Sequence, residues 1–530
     1  MPSGLHPAMN ATDTDDGGME QTWRTWRLVA LWVAGAVGFC ALVTLNSGGY
    51  RYGTSDQAFY IPVVLEQIDP TLFPHDKDLI AAQDRFLFFD DWFAPLVRLT
   101  GLSLPLAFLS GQILTLLVLY GAIVAIGLTM YRSRWTVAGL VALMTIRHRI
   151  PHTGANSVEG YFHPRLLAFA VGLSAMALYL SGRTRLALGL VLVALLIHPT
   201  IGFWYAILIG CAAVLSGGIS LRTLLIWASA PIAVGGLLLG ESLLEQFVLM
   251  DEAWVAVLGY KDYLVMHGWP LAAWPSNLAI AAFVFLLYWY RRSLGVTTDR
   301  EGALVAGCAL LVAVFLLSAP LSYAPVALAV QLQINRVFWL VDYVGVVFFA
   351  WLLFESPLRA RARAALPRVT PRRAFVVFIA VMAMWRGGYR GFVERPEQPV
   401  VEVGFADTDW TDLMEWASRQ PVGTHFLADP GHAGRYGTSV RVASGRDVYL
   451  ELIKDSALAI YSSEIAGRVA RRVDDIGDFS QLTEERAGVL ARQYELDFLI
   501  TERRLDLPVV YEAGALTAYR LHGMEAGEPR

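Results

Sequence analysis

Charge is scarce in this chain of 530 residues: Asp, Glu, Lys and Arg together make up 17% of it, whereas 55% is hydrophobic. With a mean hydropathy of +0.47, that scarcity excludes an ordinary soluble enzyme and implies a polytopic membrane protein. Cysteine is rarer still. Cys40, Cys211 and Cys308 each fall inside an apolar run, so no disulfide framework is expected and no redox compartment follows from them. No His, Cys or Asp spacing forms a metal signature, so no metal ligands are assigned. The net charge of −4 says little about partners, but no basic stripe is present and no nucleic-acid partner is expected. Residues 1–21 lack the basic start of a signal peptide, and the apolar run after them lacks a small-residue cleavage site. That run is expected to stay as a first helix. Internal repeats and low-complexity segments are also missing.

What the chain has is about eleven apolar runs, at 28–45, 104–130, 135–146, 166–180, 186–197, 201–215, 224–239, 271–290, 303–317, 337–354 and 374–385. Several are shorter than the ~20 residues a lone helix needs to cross a bilayer. If all cross, Arg24, Arg27, Arg132, Arg134, Arg183, Arg185, Arg222, Arg291, Arg292 and the cluster from Arg359 to Arg373 share one side. The positive-inside rule makes that side cytoplasmic. Residues 186–215 read as a hairpin broken at His198-Pro199; a single kinked helix would reverse everything downstream. The expected organisation is a cytoplasmic tail over 1–27, a transmembrane domain over 28–385 with a long first outer loop at 46–103, and an outward α/β domain over 386–530. In that last part 408–420, 458–472 and 484–494 read as helices, and 425–428, 498–501, 508–511 and 516–521 as strands. There Arg435, Arg441 and Lys454 could line a polar groove or merely solubilise a face.

The first outer loop is the densest polar interval. Thr54-Ser55-Asp56-Gln57 has the spacing of a capping box ahead of a helix over 58–68. Ala58, Ile61, Leu65 and Ile68 fall on one stripe, which suits a helix lying on the membrane surface with Asp56 at the water–lipid boundary. Beyond it come Asp69, His75, Asp76, Asp78, Asp84 and the pair Asp90-Asp91, interleaved with Phe86, Phe88, Phe89, Trp92 and Phe93. The bland alternatives are a dipole-favoured first-turn acid for Asp56, a solvated turn for Asp90-Asp91, and an interfacial belt for the aromatics.

Runs 135–146 and 186–197 would extend only about 18 Å as helices, against roughly 30 Å of hydrocarbon. Their outer ends, Arg147, His148, Arg149, Pro151 and His152 in one and His198-Pro199 in the other, should therefore lie below the surface. Polar backbone at that depth needs protein or a water-filled cavity around it. Arg147, Arg149, Arg165, Lys261 and Arg336 break the positive-inside bias, and eight of the ten histidines are placed outside. Forked guanidinium donors suit phosphate. The competing readings are snorkelling for Arg147 and Arg149, an interhelical hydrogen bond for His198 and an interface anchor for Arg336. Asp342, the one charge well inside a run, calls for a buried partner.

A first helix followed at once by a long outer loop with an early Asp, short paired spans and a C-terminal soluble domain resembles the GT-C superfamily of membrane glycosyltransferases. That resemblance implies a mainly α, polytopic fold and transfer of a sugar, with inversion, from a polyprenyl-phosphate carrier to an acceptor on the outer face. Asp56 matches the loop-1 acid and would take the acceptor's proton, with Glu159 as a second acid and Asp90 or Asp91 as alternatives. Arg147, Arg149, Arg165 and Arg336, with His148, His152, His163 and His198, would meet the departing phosphate. Many members carry two adjacent acids where this chain has Asp56-Gln57, so a divalent metal is left open. Expected partners are membrane lipid, a lipid-linked sugar donor and a glycan, lipid or protein acceptor. The expected location is a bacterial inner membrane, multi-pass, with the N-terminus cytoplasmic and the C-terminal domain periplasmic, in service of the cell envelope. A lipid-linked substrate transporter or flippase and a non-catalytic assembly protein are the rival readings.

Overall fold

The computed structural model describes residues 16–84, 88–357 and 371–521; Phe86 and the arginines Arg359, Arg361, Arg363 and Arg368 lie outside them. Among the described residues six helices are long and apolar enough to cross a membrane: Trp26–Asn46, Leu104–Met130, Ala273–Ser293, Asp299–Tyr323, Ala327–Phe354 and Arg372–Val393. Five shorter apolar helices stand between them, Arg134–Met144, Pro164–Leu180, Thr184–Ile197, Pro199–Leu215 and Leu221–Leu237. The chain is a polytopic helical membrane protein with a C-terminal domain that contains a sheet. Its first helix starts at Asp16, and the apolar part of it runs over Trp26–Asn46.

Pro164–Leu180 is the central helix and is buried along nearly all its length. Phe169 stacks on Trp339 at 4.0 Å, and Gly172 admits the ring of Tyr205 so closely that a Cβ there would come within 2.2 Å of it. Helices Thr184–Ile197 and Pro199–Leu215 form a tight pair. His198 turns the chain between them with extended backbone, and a Cβ on Gly202 would come within 2.4 Å of the Leu195 backbone.

The first loop folds into helices Gln57–Ile68, Lys77–Asp84 and Phe89–Thr100. The capping box does not form. Gln57 is fully buried, accepting from Gly53 N at 2.7 Å and donating to Phe162 O at 3.1 Å, because a buried amide must find partners at both ends. The surface stripe also changes: Ala58, Ile61 and Val64 pack inward against the loop's own aromatics, while Ile68 is exposed. Phe89 and Phe93 stack at 4.8 Å and are buried with Phe108 and Phe162, so these rings form a small core rather than an interfacial belt.

Nine short strands follow the chain: β1 Tyr50–Arg51, β2 Arg149–Ile150, β3 Ala155–Asn156, β4 Val401–Glu402, β5 His425–Leu427, β6 Asp447–Val448, β7 Phe498–Thr501, β8 Val509–Ala513 and β9 Leu516–Arg520. β1 pairs in parallel with β4, tying the start of the first loop to the segment after the last long helix. The C-terminal sheet runs β6-β5-β7-β9-β8, with β5 parallel to both β6 and β7 and the last two strands antiparallel. Because the chain leaves β5 toward β6 and returns on the other side as β7, the strand order reverses at β5. Thr408 caps the helix Asp409–Ser418. The expected helix 458–472 is instead two elements, Leu452–Leu458 and Ser463–Ile476, separated where Ser462 caps the second.

A buried ionic cluster joins the loop to this domain. The fully buried carboxylate of Asp76 accepts from Arg441 Nε at 2.7 Å and from Arg468. Arg441 also donates to Asp455 at 2.6 Å, to Glu451 at 3.3 Å and to the Val448 carbonyl at 3.4 Å. Asp447 accepts from the backbone N–H groups of Asp76 and His75, and His75 stacks on His425 at 4.6 Å.

Candidate active site

Asp56 stands at the N-cap of Gln57–Ile68 but does not cap it. Ser55 before it holds a left-handed φ of 54°, a conformation that costs a non-glycine residue energy. The carboxylate lies 3.2 Å from Arg165 Nη2 and 3.9 Å from Lys454 Nζ. The same Arg165 nitrogen lies 3.8 Å from Glu159. Glu159 is buried, takes Arg147 at 3.3 Å and accepts from both the backbone and the side chain of Asn156.

Beside Asp56 is a narrow cavity of about 70 Å³ whose wall includes Asp56, Arg165, His198, Lys261 and Arg336, with Tyr60, Tyr263 and Tyr461. Lys261 and Lys454 sit 5.2 and 5.0 Å from the centre of the Phe59 ring, a favourable placement for ammonium groups on an aromatic face. Arg336 is 5% exposed, yet its Nε is buried without a hydrogen-bond partner, and no acid among the described residues pairs with it. Buried charges are ordinarily paired, because desolvation costs several kcal/mol per ion. Next to it Gln333 lines the same wall with a left-handed φ of 46° and a buried, unpartnered Oε1.

Electrostatics follow from this crowding. Burial pushes the Asp56 carboxyl up, but Arg165, then Lys261 and Lys454, outweigh it and hold the group well below the usual carboxylate range. Burial lowers both lysines, with Asp56 opposing the shift. Burial, reinforced by Arg165, drives His163 well below its ordinary value; burial with Arg336 and Arg165 does the same to His198. Both rings are therefore neutral, and each uses Nδ1 to accept a backbone N–H at the start of a helix, from Leu166 at 3.1 Å and Ile201 at 3.5 Å.

The cavity wall thus takes Asp56, Arg165, His198 and Arg336 from the expected set, with Glu159 behind Arg165 and Arg147 behind Glu159. The remaining positions lie apart from it. His148 pairs through Nε2 with Asp342 at 2.9 Å, which supplies the partner that Asp342 required. Arg149 makes an exposed pair with Asp262, and the His152 ring lies 5.4 Å from Trp269. Asp90 is buried and accepts from Gln67, and Asp91 is exposed; both occupy the first turn of Phe89–Thr100 rather than a solvated turn, and neither lines the cavity. Lys261, Lys454 and the three tyrosines were not in the set. Lys261 did carry a signal, as an outward cation that breaks the positive-inside bias, and Lys454 as a residue that could line a groove.

No group of three or more His, Cys, Asp or Glu side chains among the described residues is arranged to hold a metal ion. Between Asp56 and Glu159, where a divalent cation could bridge two carboxylates, lies the guanidinium of Arg165. The arrangement does not fit a metal there.

No family model matches this chain, and no curated protein does. Among solved structures it is similar to an archaeal oligosaccharyltransferase, AglB from Archaeoglobus fulgidus, in complex with an inhibitory peptide and a dolichol-phosphate: TM-score 0.45, 11% identity, 90% of this chain and 69% of that one. The Archaeoglobus fulgidus oligosaccharyltransferase in the apo form gives a TM-score of 0.43 at 14% identity, over 89% of this chain and 69% of that one. The same enzyme with Zn and sulfate gives 0.41 at 13% identity, over 88% and 67%. A likeness of this strength carries no statement about what this chain binds.

Proposed function

We propose that the chain is a membrane glycosyltransferase that takes a sugar from a polyprenyl-phosphate carrier and passes it to an acceptor hydroxyl. The observation that carries this reading is the buried, unpaired guanidinium of Arg336 in a cavity that Arg165 and Lys261 also line. Three cations face one acid there, a surplus that a phosphate would neutralise. The cavity is narrow, about 70 Å³, and these cations stand on its wall.

In the step itself the acceptor oxygen attacks the anomeric carbon as the bond from that carbon to the phosphate oxygen breaks. The electron pair leaves with the phosphate, where Arg336, Arg165 and Lys261 meet it. The acceptor proton passes to Asp56, and the configuration at carbon inverts. With the cavity empty Asp56 is a weak base, since its neighbours hold it ionised. A phosphate charge ~6 Å away raises its proton affinity by roughly 3 kcal/mol at an effective dielectric of about 20, near two pKa units. Donor binding therefore moves Asp56 back toward the ordinary carboxylate range. Glu159 keeps Arg165 aimed at Asp56. The carrier class, the inversion, an outward-facing site and a bacterial inner membrane belong to this proposal.

The test is transfer of radiolabelled sugar from a panel of polyprenyl-phosphate sugars in membranes carrying wild type or Asp56→Asn at matched abundance. Transfer is expected with wild type and is expected to fall ~10²–10⁴-fold with the variant. Equal transfer by both would remove Asp56 from the chemistry. Absence of transfer with every donor would favour the transporter and scaffold readings.

A further inference from the structure

A second, wider cavity of about 820 Å³ is lined by Ser55 and Ala58, close in sequence to Asp56. Three separate parts of the chain wall it: residues 51–58 of the first loop, residues 394–398 after the last long helix, and residues 430–437 and 451–454 of the C-terminal domain. The last two segments leave the carboxyl ends of β5 and β6, where the strand order reverses. In open sheets of this kind the crevice outside those ends is where ligands bind.

The crevice is also shaped and charged for a ligand. A Cβ added at Gly434 or Gly437 would meet nothing within 4 Å, so the glycine-bearing rim faces open space. Glu451 is 1% exposed and lines the cleft, yet its Oε1 has no hydrogen-bond partner. Cations and carboxylates share the wall, Arg51, Arg395, Arg435 and Lys454 with Glu394, Glu397 and Glu451. Vicinal hydroxyls, each a donor and an acceptor at once, suit such a wall. A peptide would also need pockets for branched side chains, and Ile453 is the one branched aliphatic residue on the described lining.

Lys454 connects the two cavities. It lines the cleft and reaches Asp56 at 3.9 Å, while Asp56 lines the small cavity. We propose that the cleft binds the acceptor, that the acceptor is a carbohydrate of oligosaccharide size, and that its attacking hydroxyl enters past Lys454 to Asp56. This rests on the glycosyltransferase reading, and the experiment separates the two.

Gly434→Trp fills the cleft from its open rim and Gly434→Ala does not, so each is made in the full chain and reconstituted beside wild type. Binding of a radiolabelled polyprenyl-phosphate sugar and transfer of its label to acceptor are measured together. The expected result is donor binding unchanged in all three and transfer lowered at least tenfold by Gly434→Trp alone. Transfer unaffected by Gly434→Trp overturns the cleft and leaves the glycosyltransferase reading standing; donor that fails to bind wild type overturns that reading instead. The acceptor class is read separately, by p-benzoylphenylalanine at position 434 photolysed in native membranes. A periodate-sensitive carbohydrate adduct supports the proposal independently of transfer, and a peptide adduct or no adduct overturns it.

Discussion

Two buried arginines, alike in exposure, are treated in opposite ways. Arg441 is 3% exposed and donates to Asp76, Asp455, Glu451 and a backbone carbonyl. Arg336 is 5% exposed, its Nε has no hydrogen-bond partner, and no described acid pairs with it. Around the first, carboxylates take up the charge; around the second stand more cations, with one nearby acid already engaged by Arg165. A closed network holds parts of a chain together. An unclosed one, beside a cavity, is an affinity waiting for an anion.

Replacing Arg441 by Met is the harshest test of that contrast, since it strands Asp76, Glu451 and Asp455 without their shared partner. Breaking a buried ion cluster this way costs ~3–5 kcal/mol. Thermal unfolding of the purified protein should show a large fall in midpoint, and a small change would mean the cluster is not what joins loop and domain. Arg336→Met should do the reverse. With no ion pair to lose, it leaves the unfolding midpoint unchanged or raised, while transfer drops ~10²–10³-fold. A midpoint that falls as far as with Arg441→Met would erase the distinction between the two arginines.

The smallest effect expected is a pH dependence. Burial, opposed by Arg441 and reinforced by Asp455, pushes Glu451 up to about 7, above its value in the unfolded chain. Between those values the folded state holds a proton that the unfolded state lacks, so this group's contribution to stability rises as pH falls from 8 to 6. The gain is about 1.4 kcal/mol for one such group. Unfolding midpoints at pH 8 and pH 6, compared between wild type and Glu451→Gln, should differ by that amount; equal shifts in both would show that Glu451 is ionised throughout.

Much of the membrane part was legible because its signal is local. Each of the eleven apolar runs lies in a helix to within two residues at its ends, and the Pro after His198 marked a break that the structure turns into a tight pair. The helix Glu484–Tyr494 and strand β7 were likewise readable from short-range periodicity. Elements without a period were not: β6 is two residues long, and Ser462 was passed over although Ser is a common helix cap. The spacing of Thr54 and Gln57 misled, since it carries no information about Phe162, the distant residue that claims the Gln57 amide. The site is assembled from such distances. Asp56 meets Arg165 from the central helix and Lys454 from the tail, and Asp342 meets His148, pairs that no sequence window contains.

The short ladder between β1 and β4 has a bearing on biosynthesis. Asp56 leaves the ribosome early and Arg165 and Arg336 follow, but the strand that fixes the first loop is made only after the last long helix, and Lys454 later still. A chain caught partway through synthesis holds Asp56, Arg165 and Arg336 without Lys454 and the C-terminal segments that wall the two cavities. Neither cavity has all its walls until the final domain closes on the first loop.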